Sequence, residues 1–149
     1  MAKHNPLNTL VDLAKNDADE AAKQLQRLMG SRNEAVQQLS MLQEYRQDYA
    51  ERLHKTAESG LSASNYHNFR QFIATLDEAI SLQNGVVAQI DLKLESGRQQ
   101  WQSEKRRVNS FETLLTRQAR QQALRDSRTE QRANDEISVN QFRRMQNAY

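Results

Sequence analysis

Apolar residues recur along the first part of the chain at alternating spacings of four and three. The series runs Leu7, Val11, Ala14, Ala18, Ala21, Leu25, Leu28, Arg32, Ala35, Leu39, Leu42, Arg46, Tyr49, Leu53 and Thr56. Twelve of these fifteen are apolar, and a mean spacing of about 3.5 is the seam of a left-handed coiled coil. A second series runs Phe69, Ile73, Leu76, Ile80, Gln83, Val87, Ile90, Leu94, Gly97, Trp101, Glu104, Val108, Phe111 and Leu115, with eleven of fourteen apolar. Two seams of equal period joined by a short connection pack antiparallel.

The stretch between them reads as a stop and a restart. Gly60 supplies the left-handed residue that ends a helix, and Ser62 or Ser64 accepts a bond from the first free amides of the next one. Asn5-Pro6 is a helix start, a cap followed by proline at the first helical position. The expected elements are a helix over about 6–58, a turn over about 59–64 and a helix over about 65–147. They make a single all-α helical hairpin, a long antiparallel two-helix coiled coil whose second helix is the longer.

Registered from the turn outward, facing positions add to about 122. Leu53 then faces Phe69, Tyr49 faces Ile73, Ala21 faces Trp101 and Leu25 faces Gly97, so that large side chains meet small ones. Beyond Leu115 the same phase falls on Gln118, Gln122, Arg125 and Thr129, all polar. Residues 116–149 are therefore expected as an unpaired overhang, and the paired arms as a rod of about 75 Å at 1.5 Å per residue. Two places argue for breaks: Met29-Gly30-Ser31 followed by Glu34, and Asn84-Gly85. The heptad keeps its phase across both, which favours continuous arms over the alternative, a shorter folded-back bundle.

Composition supports extended helix over a thick core. Hydrophobic residues are 37%, mean hydropathy is −0.93, and there are only one proline and four glycines among 149 residues. No cysteine occurs, which removes disulfides, thiolate nucleophiles and zinc thiolate sites from consideration. There is neither an apolar run of the roughly 18 to 20 residues that span a bilayer nor a signal-peptide segment at the start. Charge is nearly balanced except over the overhang, where seven arginines stand against four acids. A solvated helical face is the plain reading of that run. An acidic partner is the other, and nucleic acid is not expected, because Asp126, Glu130, Asp135 and Glu136 interleave and no aromatic–basic alternation appears.

Chemistry-bearing motifs are missing: there is no Gly-rich phosphate loop, no His-Glu-x-x-His and no nucleophile elbow. His54 and His67 fall near the turn with Glu51 and Glu58, and His4 lies at the start, but these histidines lack further fixed ligands. Neither a metal, a cofactor nor an enzymatic activity is expected. Binding surface is another matter. Five of the nine aromatics (Tyr45, Tyr49, Tyr66, Phe69 and Phe72) lie in the third of the hairpin nearest the turn. A stripe of Gln38, Leu42, Tyr45 and Tyr49 on one arm lies beside Phe72, Leu76, Ala79 and Gln83 on the other. A two-stranded seam hides about two positions per heptad, so this flank either broadens the seam or serves as an exposed partner site.

Three segments carry a resemblance. Asn8 to Lys15 (NTLVDLAK), Met41 to Tyr49 (MLQEYRQDY) and Asn65 to Ile80 (NYHNFRQFIATLDEAI) resemble the corresponding pieces of the FliJ family of flagellar type III export proteins. The similarity covers about Asn8 to Leu115. The resemblance implies an antiparallel coiled coil similar to the central stalk of rotary ATPases, with no enzymatic activity. It implies three kinds of partner: the hexameric flagellar export ATPase, the cytoplasmic linker of the membrane export gate, and export chaperones. The expected location is the cytoplasm, at the cytoplasmic face of the inner membrane, held there through partners. The family's gate-binding surface maps onto Gln38, Leu42, Tyr45, Tyr49, Phe72, Leu76, Ala79 and Gln83; position 83 is often histidine in the family and is glutamine here. Arg117 and Arg120, just past the paired region, are candidates for ATPase contact. The competing reading is a generic coiled-coil adaptor or scaffold, binding nucleic acid through its arginine-rich tail.

Overall fold

The computed structural model describes residues 5–148; His4, singled out in the sequence, lies outside the described residues. Two helices make up the fold, α1 over Pro6–Glu58 and α2 over Ala63–Asn147. Asn5 caps α1, its side-chain Oδ1 accepting from the Leu7 amide at 3.0 Å, so the Asn-Pro start works as its chemistry suggests. Gly60 ends the first arm at φ +91°, a conformation that costs an L side chain energy and glycine little. Of the two candidate caps for α2 the structure uses Ser62, whose Oγ accepts from the Asn65 amide at 3.2 Å. The second helix consequently starts at Ala63, two residues before the expected 65. Both arms run unbroken through Gly30 and Gly85, and the folded-back bundle is not formed.

Packing between the helices divides into two units. In the first, the described residues up to Asp17 meet those from Glu104 onward. Val11, Ala14 and Val108 are buried, while Leu7, Glu104, Phe111 and Leu115 are half-buried. Asn5 Nδ2 donates to Gln118 Oε1 at 2.7 Å, and Lys15 pairs with Glu112 at 3.5 Å. From Thr116 to Ala148 every residue is exposed.

The second unit, Ala18–Ser103, buries Ala18, Ala21, Ala35, Leu76 and Leu94. Its cross-helix contacts give the register directly. A Cβ placed on Gly97 would stand 3.1 Å from Leu25 Cδ2, and Arg32 Nε donates to Asp91 Oδ1 at 2.6 Å. Arg46 Nε donates to Asp77 Oδ1. These pairings again add to about 122, the antiparallel register read from the spacing. Polar seam positions are served individually. Arg32 and Arg46 have their aspartates, Gln83 Nε2 donates to the Ala35 carbonyl at 2.9 Å, and Thr56 Oγ1 donates to the Arg52 carbonyl at 2.6 Å. Glu104, in the first unit, differs: its Oε2 is buried with no hydrogen-bond partner.

Three measurements test this packing. Gly30→Ala and Gly85→Ala, where an added methyl meets only open space, should each stabilise the chain by about 0.5–1 kcal/mol in thermal or denaturant unfolding. Gly97→Leu, by contrast, drives its side chain into Leu25 and should destabilise by about 1–3 kcal/mol. Glu104→Leu removes a buried unpartnered oxygen and should raise stability by about 1 kcal/mol or more.

Candidate partner-binding site

The two flanks of the second unit differ in chemistry, and heptad position decides which residue stands on which. On α2 the residues that directly follow the seam positions Leu76 and Ile90 are Asp77 and Asp91, and these hold Arg46 and Arg32 from α1. The Asp77 hydrogen bond, reinforced by its charge, holds the Arg46 guanidinium above its ordinary value. On the other flank stand the residues that directly precede a seam position. These are Phe72, Ala79 and Val86 on α2, and Gln38 and Tyr45 on α1. In an antiparallel pair the two columns share one side. Ion pairs thus line one flank and rings the other.

On the aromatic flank Tyr49 is the hub. Its ring centroid lies 4.4 Å from that of Phe72 and 6.2 Å from that of Phe69, both tilted, geometries that aromatic pairs favour. Arg52 lies over the Tyr49 ring at 5.5 Å and closes the end nearest the turn with a cation–π contact. At the other end Gln83 Nε2 also approaches Gln38 Oε1 at 3.3 Å, tying the two arms together. Between these limits Tyr45 is 51% exposed and Phe72 43% exposed, while Leu42, Tyr49, Ala79 and Gln83 are half-buried and Gln38 is exposed.

Leu76 requires a correction. The sequence places it in an exposed patch, yet it is only 7% exposed, because its position is a seam position and its side chain points between the helices. A partner could not hold Leu76 itself. Val86, one heptad beyond Ala79 and 46% exposed, extends the apolar column; the patch read from the sequence omits it, although its spacing of seven from Ala79 marks it.

Arg117 and Arg120 belong to the first unit and are exposed. They border an open groove of about 550 Å³ with Asn109, Glu112, Thr113 and Thr116. Lys15 engages Glu112 there, and neither arginine is ion-paired among the described residues. Near the turn, exposed His54 lies 3.2 Å from Glu58. No group of three or more His, Cys, Asp or Glu able to hold a metal occurs among the described residues. No helix there is long and apolar enough to cross a membrane.

Comparison with known proteins adds a family. A family model described as "Flagellar FliJ protein" matches residues 3–147. The flagellar FliJ protein of Salmonella typhi is 32% identical over 138 residues, 93% of this chain and 94% of that protein. That of Escherichia coli (strain K12) is 31% identical over 138 residues, with the same shares of each chain covered.

Exposure separates the patch residues by what their removal costs. Leu76→Ala should destabilise the fold by about 2–5 kcal/mol, as buried leucine truncations do. Tyr45→Ala, at an exposed ring with no stacking partner among the described residues, should change stability by about 0.5 kcal/mol or less. Chemical denaturation of the two variants side by side reads the difference.

Proposed function

The chain belongs to the FliJ family, a family of flagellum biogenesis and protein export and not a known enzyme family, and from that premise we propose that it acts as a stalk joining the export ATPase to the export gate. In this reading the end carrying both termini enters the central hole of the hexameric ATPase and promotes its assembly and activity, with Arg117 and Arg120 meeting acidic grooves of the ring. Two helices side by side, each roughly 10 to 12 Å across, suit such a pore. The aromatic flank serves the cytoplasmic linker of the membrane export gate. Export chaperones are further partners, and the chain works at the cytoplasmic face of the inner membrane, held there by the proteins it binds.

The observation that carries the gate assignment is the pair of exposed rings, Tyr45 and Phe72, on a flank free of cross-helix ion pairs among the described residues. Exposed aromatics on so polar a chain are the side chains that dominate binding energy at protein interfaces. Leu42, Tyr49, Ala79 and Gln83 form the half-buried bed beneath them, Gln38 the polar border, and Leu76 acts from below by holding that bed in place.

The double variant Tyr45→Ala with Phe72→Ala should weaken binding to the isolated gate linker by at least about tenfold, the effect of losing one interface hot spot, and should depress export. Its helicity should stay close to that of the parent chain, with stability lowered by about 0.5–1.5 kcal/mol through loss of the Phe72–Tyr49 ring pair. Wild-type binding by a folded double variant would refute the gate assignment. Separately, Arg117→Glu with Arg120→Glu should reduce stimulation of the ATPase while leaving linker binding unchanged; full stimulation would remove those arginines from the ATPase contact.

A further inference from the structure

We propose that the arginine-lined face of the last part of α2 is a docking surface for an anionic lipid bilayer. At about 100° per residue, Arg117, Arg120, Arg125, Arg128, Arg132 and Arg143 fall within an arc of about 140°. Asp126 and Glu130 fall on the opposite side, together with Arg144. Asp135 and Glu136 are the acids within or beside the arc, and six arginines outweigh them. Each of these arginines is exposed, and none forms a side-chain ion pair among the described residues. From Arg117 to Arg143 the face extends about 39 Å.

Charge alone would suit any acidic surface. Apolar side chains in the same arc decide between them. Leu124, 58% exposed, stands among the arginines, and Val139 and Phe142, the latter 62% exposed, lie near its far end. Met145, 67% exposed, sits at the border of the arc. Arginines attracted to anionic headgroups, with a short apolar anchor entering the boundary below them, form the two-part signal by which helices lie in a membrane interface. Apart from the Asn5–Gln118 hydrogen bond at its start, this segment is exposed throughout among the described residues, so little has to be displaced before it meets a surface.

This goes beyond the stalk reading and is measured without any other protein. The full chain is mixed with vesicles of phosphatidylcholine containing phosphatidylglycerol, or of phosphatidylcholine alone, and sedimented. It should sediment with the anionic vesicles at low salt, be released as ionic strength rises, and remain in solution with the neutral ones. Arg125→Gln/Arg128→Gln/Arg132→Gln should lower the partition by about a hundredfold with unchanged helicity. Phe142→Ser should lower it further at fixed charge. Arg117 and Arg120 are left intact in these variants, so the ATPase assignment is scored independently. Equal sedimentation with neutral vesicles, none with anionic ones, or undiminished binding by the triple variant would overturn the proposal. So would capture by polyglutamate in place of vesicles, which would assign the face to an acidic protein.

Discussion

A seam only two positions wide per heptad governs this molecule. Everything buried has to fit between two backbones, and the partition of sizes reflects that. The buried residues of α1 are Val11 and the alanines Ala14, Ala18, Ala21 and Ala35, whereas α2 contributes Leu76, Leu94 and Val108. Small side chains on one arm let the larger ones of the other enter, with Gly97 taking Leu25 as the one inversion. A core so thin cannot hide a cavity or isolate a reaction from water, and it leaves most of the surface free for partners.

The consequence for recognition is that the flanks are differentiated by what they lack. Where Asp77 and Asp91 bridge the arms, a visiting molecule meets satisfied charges. On the other side it meets Tyr45 and Phe72, backed by Tyr49 and, among the described residues, free of bridging salt links. Polar seam residues do not blur this division, because Gln83 spends its amide on Ala35 and Gln38 and the two arginines turn towards the charged side. A single register therefore both closes the seam and sorts the surface.

Much of this was legible before any coordinates. All twenty-nine positions in the two spacings of four and three are buried or half-buried, and exposure resumes after Leu115, because period 3.5 is dictated by helix geometry alone. The start of α2 was less legible. Ser62 and Ser64 are chemically equivalent caps, and only the backbone path from Gly60 selects between them. Within the patch, Leu76 and Phe72 are both large and apolar, and hydrophobicity cannot rank them. Heptad position does, since Leu76 stands in the seam and Phe72 beside it. Val86 is obscured for a related reason, since the adjacent Val87 is equally apolar and only heptad position puts one in the seam and the other beside it.

The aspartates that hold Arg32 and Arg46 also make sliding detectable. The column to which they belong reads Arg70, Asp77, Asn84, Asp91, Arg98 at intervals of seven. Shift α2 one heptad in one direction and Arg32 confronts Arg98 while Arg46 meets Asn84; shift it in the other and Arg46 confronts Arg70 while Arg32 meets Asn84. Each misalignment exchanges two attractions for one repulsion and one neutral contact. A repetitive apolar zipper, which by itself tolerates slippage, is thus made to close in one place by the order of charges written along its edge.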